Sequence, residues 1–191
     1  MSNSATTVVA LLEAGAAGDV ALAAPGSAPM SYGTLRTLVG TTIATLNAKG
    51  IGRNDRVAIV LDNGPQMAAA FICVAAGATA APLNPAYRAD EFEFYLRDLR
   101  ARILIVERGH ASPALEVAHR LDIPVVQLGS RPEMGAGGFA LDFPDSLPAQ
   151  RAESPGPAAP ADIALVLHTS GTTSRPKIVP LSQRNICASA R

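Results

Sequence analysis

A chain of 191 residues that is 48% hydrophobic and 17% charged has the apolar content of a packed core, which excludes an intrinsically disordered protein. Its net charge is zero, with 14 Arg and 2 Lys scattered along it, so neither a nucleic-acid footprint nor an attraction to anionic membranes is written into the charge pattern. The longest apolar stretch, Met67 to Leu83, is broken by Gly77 and Pro82 and falls short of the roughly 20 residues of a membrane span.

Taken in chain order, the N-terminus "MSNSATTVVALLEAGAAGD" lacks a basic n-region and meets Glu13 too early for a secretory signal. Leu35, Leu38, Val39, Thr42, Ile43 and Leu46 recur on one face of an amphipathic helix. Ser31 is its candidate N-cap and Gly50 its candidate stop. "RVAIVL" (56–61) predicts a strand buried on both faces. The turn residues Asp62-Asn63-Gly64 then lead into a helix from Pro65 to about Ala76 that holds no charge and must be packed on most sides.

"ATAAPL" (78–83) predicts a second strand, and Phe92, Tyr95, Leu96 and Leu99 a helix face. "RILIVE" (102–107) follows as a third strand, and Leu115, Val117, Ala118 and Leu121 as a further helix before "PVVQL" (124–128). Strands alternating with helices across short loops predict βαβ units. The expected fold is therefore α/β, a doubly wound parallel sheet with helices on both faces. Six of the fifteen prolines fall between Gly129 and Ala161. Periodicity is lost there, as in a connector lying on the surface. The expected organisation is a sheet-and-helix region over 1–128, a Pro/Gly-rich connector over 129–161, and a strand, polar loop and helix start over 162–191.

The loop carries the chemistry. "DIALVLHTS" (162–170) is a buried strand that runs into Thr169, Ser170, Gly171, Thr172, Thr173 and Ser174, with Lys177 three residues on and a helix starting near Ser182. Hydroxyls, backbone N–H groups, a lysine and a helix dipole together hold phosphate, although the same composition also suits a plain polar turn. The Walker A spacing fails, because Pro176 stands at the second glycine and Ile178 at the metal-binding hydroxyl. "GIGRND" (50–55) fails as a dinucleotide fingerprint, since it lacks the third glycine and precedes a strand.

"TSGTTSRPK" (169–177) resembles the phosphate-binding signature of the adenylate-forming superfamily, which includes acyl-CoA synthetases, luciferases and peptide-synthetase adenylation domains. The stretch from "GIGRNDRVAIVL" to "RILIVE" is similar to the same family, so the resemblance covers nearly all of residues 30–191. It implies that Ser170, Thr172 and Thr173 contact the β- and γ-phosphates of ATP, that Gly171 lets the backbone approach, and that Lys177 neutralises charge. The implied reaction joins a small carboxylic acid to AMP with loss of pyrophosphate, then passes the acyl group to coenzyme A, with Mg2+ accompanying ATP. Ser174-Arg175 resembles the oxalate–CoA ligase branch, making oxalate or another short acid the first substrate expectation and aromatic or fatty acids the alternatives.

Ile178 departs from the family glycine. A left-handed backbone there would strain a β-branched residue by about 1–2 kcal/mol. The family's acidic ligands, catalytic lysine and mobile C-terminal domain are expected beyond Arg191, so the catalytic residues cannot be placed and the 191 residues alone are expected to be inactive. A chain ending on Arg191 in mid-element fits a cut or a truncation. The rival reading is a non-catalytic module that binds nucleotide weakly or pairs with a partner chain to complete its sheet.

Among the remaining candidates, His168 at the strand end reads as structural, because no nucleophile pairs with it. His110 and His119 read as solvated. Cys73 and Cys187 read as core, lacking disulfide or metal spacing, which points to a reducing, cytoplasmic compartment. Glu91, Glu93 and Asp98 read as the wet face of one helix. Arg175 could meet a phosphate or a substrate carboxylate.

Overall fold

The computed structural model describes residues 5–169 and 176–190. Among these, seven strands form one sheet in the order β7-β6-β5-β3-β4-β8-β9. The strands are β3 (Arg56–Val60), β4 (Thr79–Pro82), β5 (Ile103–Glu107), β6 (Val125–Ser130), β7 (Phe139–Asp142), β8 (Ile163–Thr169) and β9 (Lys177–Ser182). The five inner strands run parallel, and β7 and β9 close the two edges antiparallel. A two-stranded ribbon, β1 (Val20–Leu22) and β2 (Met30–Ser31), stands apart.

Helices α1 (Val8–Leu12), α2 (Tyr32–Ala48), α3 (Pro65–Ala75) and α6 (Gln183–Ser189) share one face of the sheet. Helices α4 (Ala89–Leu99) and α5 (Pro113–Arg120) cover the other. Alternate residues of the inner strands serve the two layers: Val57, Ile59, Ile103 and Ile105 pack under α2 and α3, while Ala58, Val60, Leu104 and Val106 pack under α4 and α5. That is why these strands read as unbroken apolar runs. The chain steps from β3 out to β4, then back across β3 to β5 and β6. Right-handed crossovers therefore put α3 on one face and α4 and α5 on the other. The doubly wound α/β expectation holds.

Helix α2 buries the predicted face, and the Ser31 hydroxyl accepts from the Thr34 N–H at 3.2 Å. It stops at Gly50, whose φ is 78°. The N–H groups of Ile51 and Gly50 return to the carbonyls of Leu46 and Asn47 at 3.0 and 3.3 Å, a Schellman stop that needs a residue without Cβ. The charge-free α3 buries Ala69, Ala70, Cys73, Val74 and Ala75.

Two regions are more structured than the residue pattern conveys. Helix α1 and the β1–β2 ribbon lie within the first 31 residues, where no periodicity marks them. Residues 129–161 hold the end of β6, the edge strand β7 and a 3-10 turn at Pro132–Met134. Ala136, Phe139, Ala152 and Ala158 are buried. Hydrogen bonds strap this stretch across the end of α2: Lys49 Nζ donates to the Leu147 carbonyl at 2.9 Å, and the Gly156 N–H donates to Asn47 Oδ1 at 2.6 Å.

Candidate functional site

The hydroxyl-rich segment departs from the β8–β9 hairpin, so the site is built from what fixes that hairpin. Strand β8 lies between β4 and β9 and is pinned at its start. The Thr79 hydroxyl donates to the Ile163 carbonyl at 2.7 Å. The Asp162 carboxylate accepts from Arg53 Nε and the Ala159 N–H, both at 2.6 Å, and from Asn54 Nδ2 at 3.0 Å, while Asn54 Oδ1 accepts from the Ile163 N–H at 2.9 Å. Burial works to raise the Asp162 carboxyl. The Arg53 guanidinium and the two amide donors outweigh it and hold the group below the ordinary carboxylate range.

The far end of the hairpin is the candidate site. Thr169 pairs directly with Lys177, and His168 with Ile178. The predicted donor Thr169 and cation Lys177 are thus brought together across the mouth from which residues 170–175 leave, and both are exposed. Ser170, Gly171, Thr172, Thr173 and Ser174 lie outside the described residues.

The His168 side chain, 5% exposed, is enclosed on the α4 side. Its Nε2–H donates to Asp98 Oδ2 at 3.1 Å, and its ring lies 4.6 Å from Tyr95 at 61°. Tyr95 stacks on Tyr87 at 4.8 Å. Burial first, then its hydrogen bond with Tyr95, pushes the Tyr87 phenol up to about 12. The structural reading of His168 stands. Asp98 is corrected: it is exposed, yet it anchors His168 instead of merely wetting α4. Glu91 accepts from the Arg88 N–H at the start of α4, and Glu93 meets Arg97 and Arg120.

Two further expectations change. The helix expected from Ser182 is present as α6, which starts at Gln183, but β9 stands between it and the segment, so its expected part in holding phosphate is overturned. Ser182, the N-cap of α6, pairs with Ile163 at the opposite end of the hairpin. Five residue steps of strand put the helix N-terminus about 17 Å from Lys177, beyond the reach of a dipole felt within one turn. The apolar run "IVPL" (178–181), bounded by Lys177 and Ser182, was the available signal for this strand. Ile178 is not strained either. It lies in β9, is absent from the residues with positive φ, and packs into the cluster under α4 with Val166.

On the other face of the hairpin, Leu165 pairs with Leu181 and Leu167 with Val179. These four belong to neither core cluster, and Leu167 is 38% exposed. At the base, the buried Gln183 is a residue that sequence reasoning missed. Its Nε2 donates to the Ala75 carbonyl at 2.6 Å, and its Oε1 accepts from the Val8 N–H at 2.9 Å. Nothing in a "SQRN" sequence distinguishes this glutamine from a solvated one. Cys73 is fully buried, and burial, offset in part by Thr42, pushes its thiol up to about 12. His110 and His119 are exposed. Among the described residues no three His, Cys, Asp or Glu side chains could together hold a metal ion, and no helix is long and apolar enough to cross a membrane.

This arrangement of a doubly wound sheet ending in a hydroxyl-rich hairpin has counterparts. The signature of the AMP-binding enzyme family matches residues 12–191, and the chain belongs to that family. It is 38% identical over 174 residues to an oxalate–CoA ligase of Arabidopsis thaliana, and 33% identical over 159 residues to a 3-hydroxybenzoate–CoA ligase of Aromatoleum sp. (strain CIB). These alignments cover 90% and 81% of the chain but 33% and 29% of the relatives. The chain thus spans about a third of their length. The crystal structure of apo MatB from Rhodopseudomonas palustris superposes with a TM-score of 0.74 at 24% identity, covering 97% of this chain and 36% of MatB; this likeness speaks for the fold.

Proposed function

We propose that the chain is the N-terminal, phosphate-binding part of an ATP-dependent carboxylate–CoA ligase. The observation that carries this reading is the pairing of Thr169 with Lys177 across the mouth of a hairpin whose connecting residues read "SGTTSRP". A strand pair pinned at its base presents a hydroxyl and an ammonium to one point, where they would bind and orient the leaving pyrophosphate of ATP. Ser170, Gly171, Thr172, Thr173 and Ser174 complete the proposed donor set. Magnesium would arrive on the phosphates themselves, as this small and strongly hydrated ion commonly does. Coenzyme A is the proposed acyl acceptor.

The favoured acid is oxalate or another short carboxylate, supported by Ser174-Arg175 and by the similarity to the oxalate–CoA ligase of Arabidopsis thaliana. The hydroxybenzoate relative keeps aromatic acids as the alternative. A cytoplasmic setting is proposed on the sequence spacing of Cys73 and Cys187, which suits neither a disulfide framework nor a metal site. The apolar hairpin face around Leu167 supports a second reading, in which the chain is completed by another polypeptide before it acts.

The test is Mg·ATP binding by the purified chain, with Lys177→Ala expected to weaken it roughly tenfold or more through loss of a charged phosphate contact. Equal affinity in the variant would remove Lys177 from the site. The chain by itself is expected to give no carboxylate-dependent ATP–pyrophosphate exchange, and exchange above background would overturn that expectation.

A further inference from the structure

We infer that His168 is a positioning residue: held by Asp98 and Tyr95 of α4, it fixes the stem from which residues 170–175 depart and thereby sets nucleotide affinity. The geometry is specific. His168 immediately precedes Thr169 and is the register partner of Ile178, which immediately follows Lys177. One side chain therefore braces the rung next to the Thr169–Lys177 pair. It is 5% exposed, and its Nε2–H reaches Asp98 Oδ2 at 3.1 Å. Its ring is braced by Tyr95 at 4.6 Å, which is itself stacked on Tyr87.

Without this clamp, the last two rungs of the hairpin would be held at the sheet edge by backbone pairing and the packing of Ile178 alone, since β9 has no strand on its outer side among the described residues. A phosphate site of short hydroxyls depends on preorganised donors, because every donor ordered only on binding subtracts from affinity. Linking the stem to α4 through a charge-assisted hydrogen bond orders the Thr169–Lys177 pair before the nucleotide arrives. His168 itself touches no reacting group in this scheme. Its functional half rests on the nucleotide reading above; the mechanical half does not.

The experiment pairs amide hydrogen exchange with Mg·ATP titration on the 191-residue chain, using His168→Ala, His168→Gln and Asp98→Ala. Asp98 is 41% exposed, so Asp98→Ala carries the test even where His168→Ala does not fold. Exchange is expected to quicken about tenfold at residues 167–169 and 177–179, and to stay unchanged at residues 163–165. ATP affinity should fall by a similar factor, and His168→Gln, whose amide can still donate to Asp98, should recover most of it. Exchange that is unchanged, or that quickens evenly along β8, overturns the clamp whatever ATP does. If the unaltered chain binds no ATP, the nucleotide reading fails and the clamp is decided by exchange alone. If ATP binds with equal affinity across all variants, the positioning role fails while the nucleotide reading stands.

Discussion

Gln183 is fully buried, and its one amide satisfies two backbone groups from distant parts of the chain. Replacing it with alanine leaves the Val8 N–H and the Ala75 carbonyl without partners inside the protein. Each unsatisfied group costs about 1–3 kcal/mol. In a chain of this size 1 kcal/mol moves the melting temperature by about 2–4 °C. Gln183→Ala is therefore expected to lower Tm by about 10 °C in calorimetry. A loss under 2 °C would mean that water replaces the amide at no cost. Lys177 is the contrasting case: it is exposed and has no burial to lose, so its alanine variant should change nucleotide affinity and leave Tm nearly untouched.

At the scale of elements, the hairpin is where sequence and structure differ most instructively. Ile178 looked like an intrusion at a glycine position, yet in β9 it is a β-branched residue in extended backbone with its side chain in the α4 cluster. Both features favour it. Ile178→Gly should cost about 2 kcal/mol, from lost burial together with glycine's entropy in a strand, and lower Tm by about 4–8 °C. A rise in Tm would restore the idea of strain.

The core elements were legible because each one is buried on a constant period: α2 on its six-residue stripe, β3 and β5 as unbroken apolar runs. What stayed hidden shows no such period. Helix α1 is five residues long, β7 is an edge strand in a Pro/Gly-rich stretch, and β9 carries Pro180 on an edge. Of the candidate site, the residue types were readable from Thr169 to Lys177. The pairing of Thr169 with Lys177 and the link from His168 to Asp98, 70 residues apart, are products of topology that local pattern does not encode.

At the scale of the whole molecule, the Asp162 staple joins the start of β8 to the loop before β3 and gives stability a pH dependence with a definite sign. The folded-state carboxyl sits below its unfolded value. Its contribution is therefore complete above the ordinary carboxylate value of about 3.9 and is lost as pH falls below that value and through the folded one. Urea midpoints measured from pH 6 down to pH 2 should fall in this acid window for the unaltered chain. Asp162→Asn should be less stable at pH 6, with a difference that narrows towards pH 2. A constant difference across the range would assign the effect to lost geometry instead of charge.

The bond between Val8 and Gln183 spans 175 positions of sequence, and on the ribosome that distance is a delay. At about 5–20 residues per second, some 10–35 s separate the synthesis of α1 from that of the glutamine that receives it. A helix of five residues is far below the length that holds together unaided in water. Helix α1 can rest on α2 early, where Arg36 holds the Leu12 carbonyl, but its start is not tied down until α6 emerges.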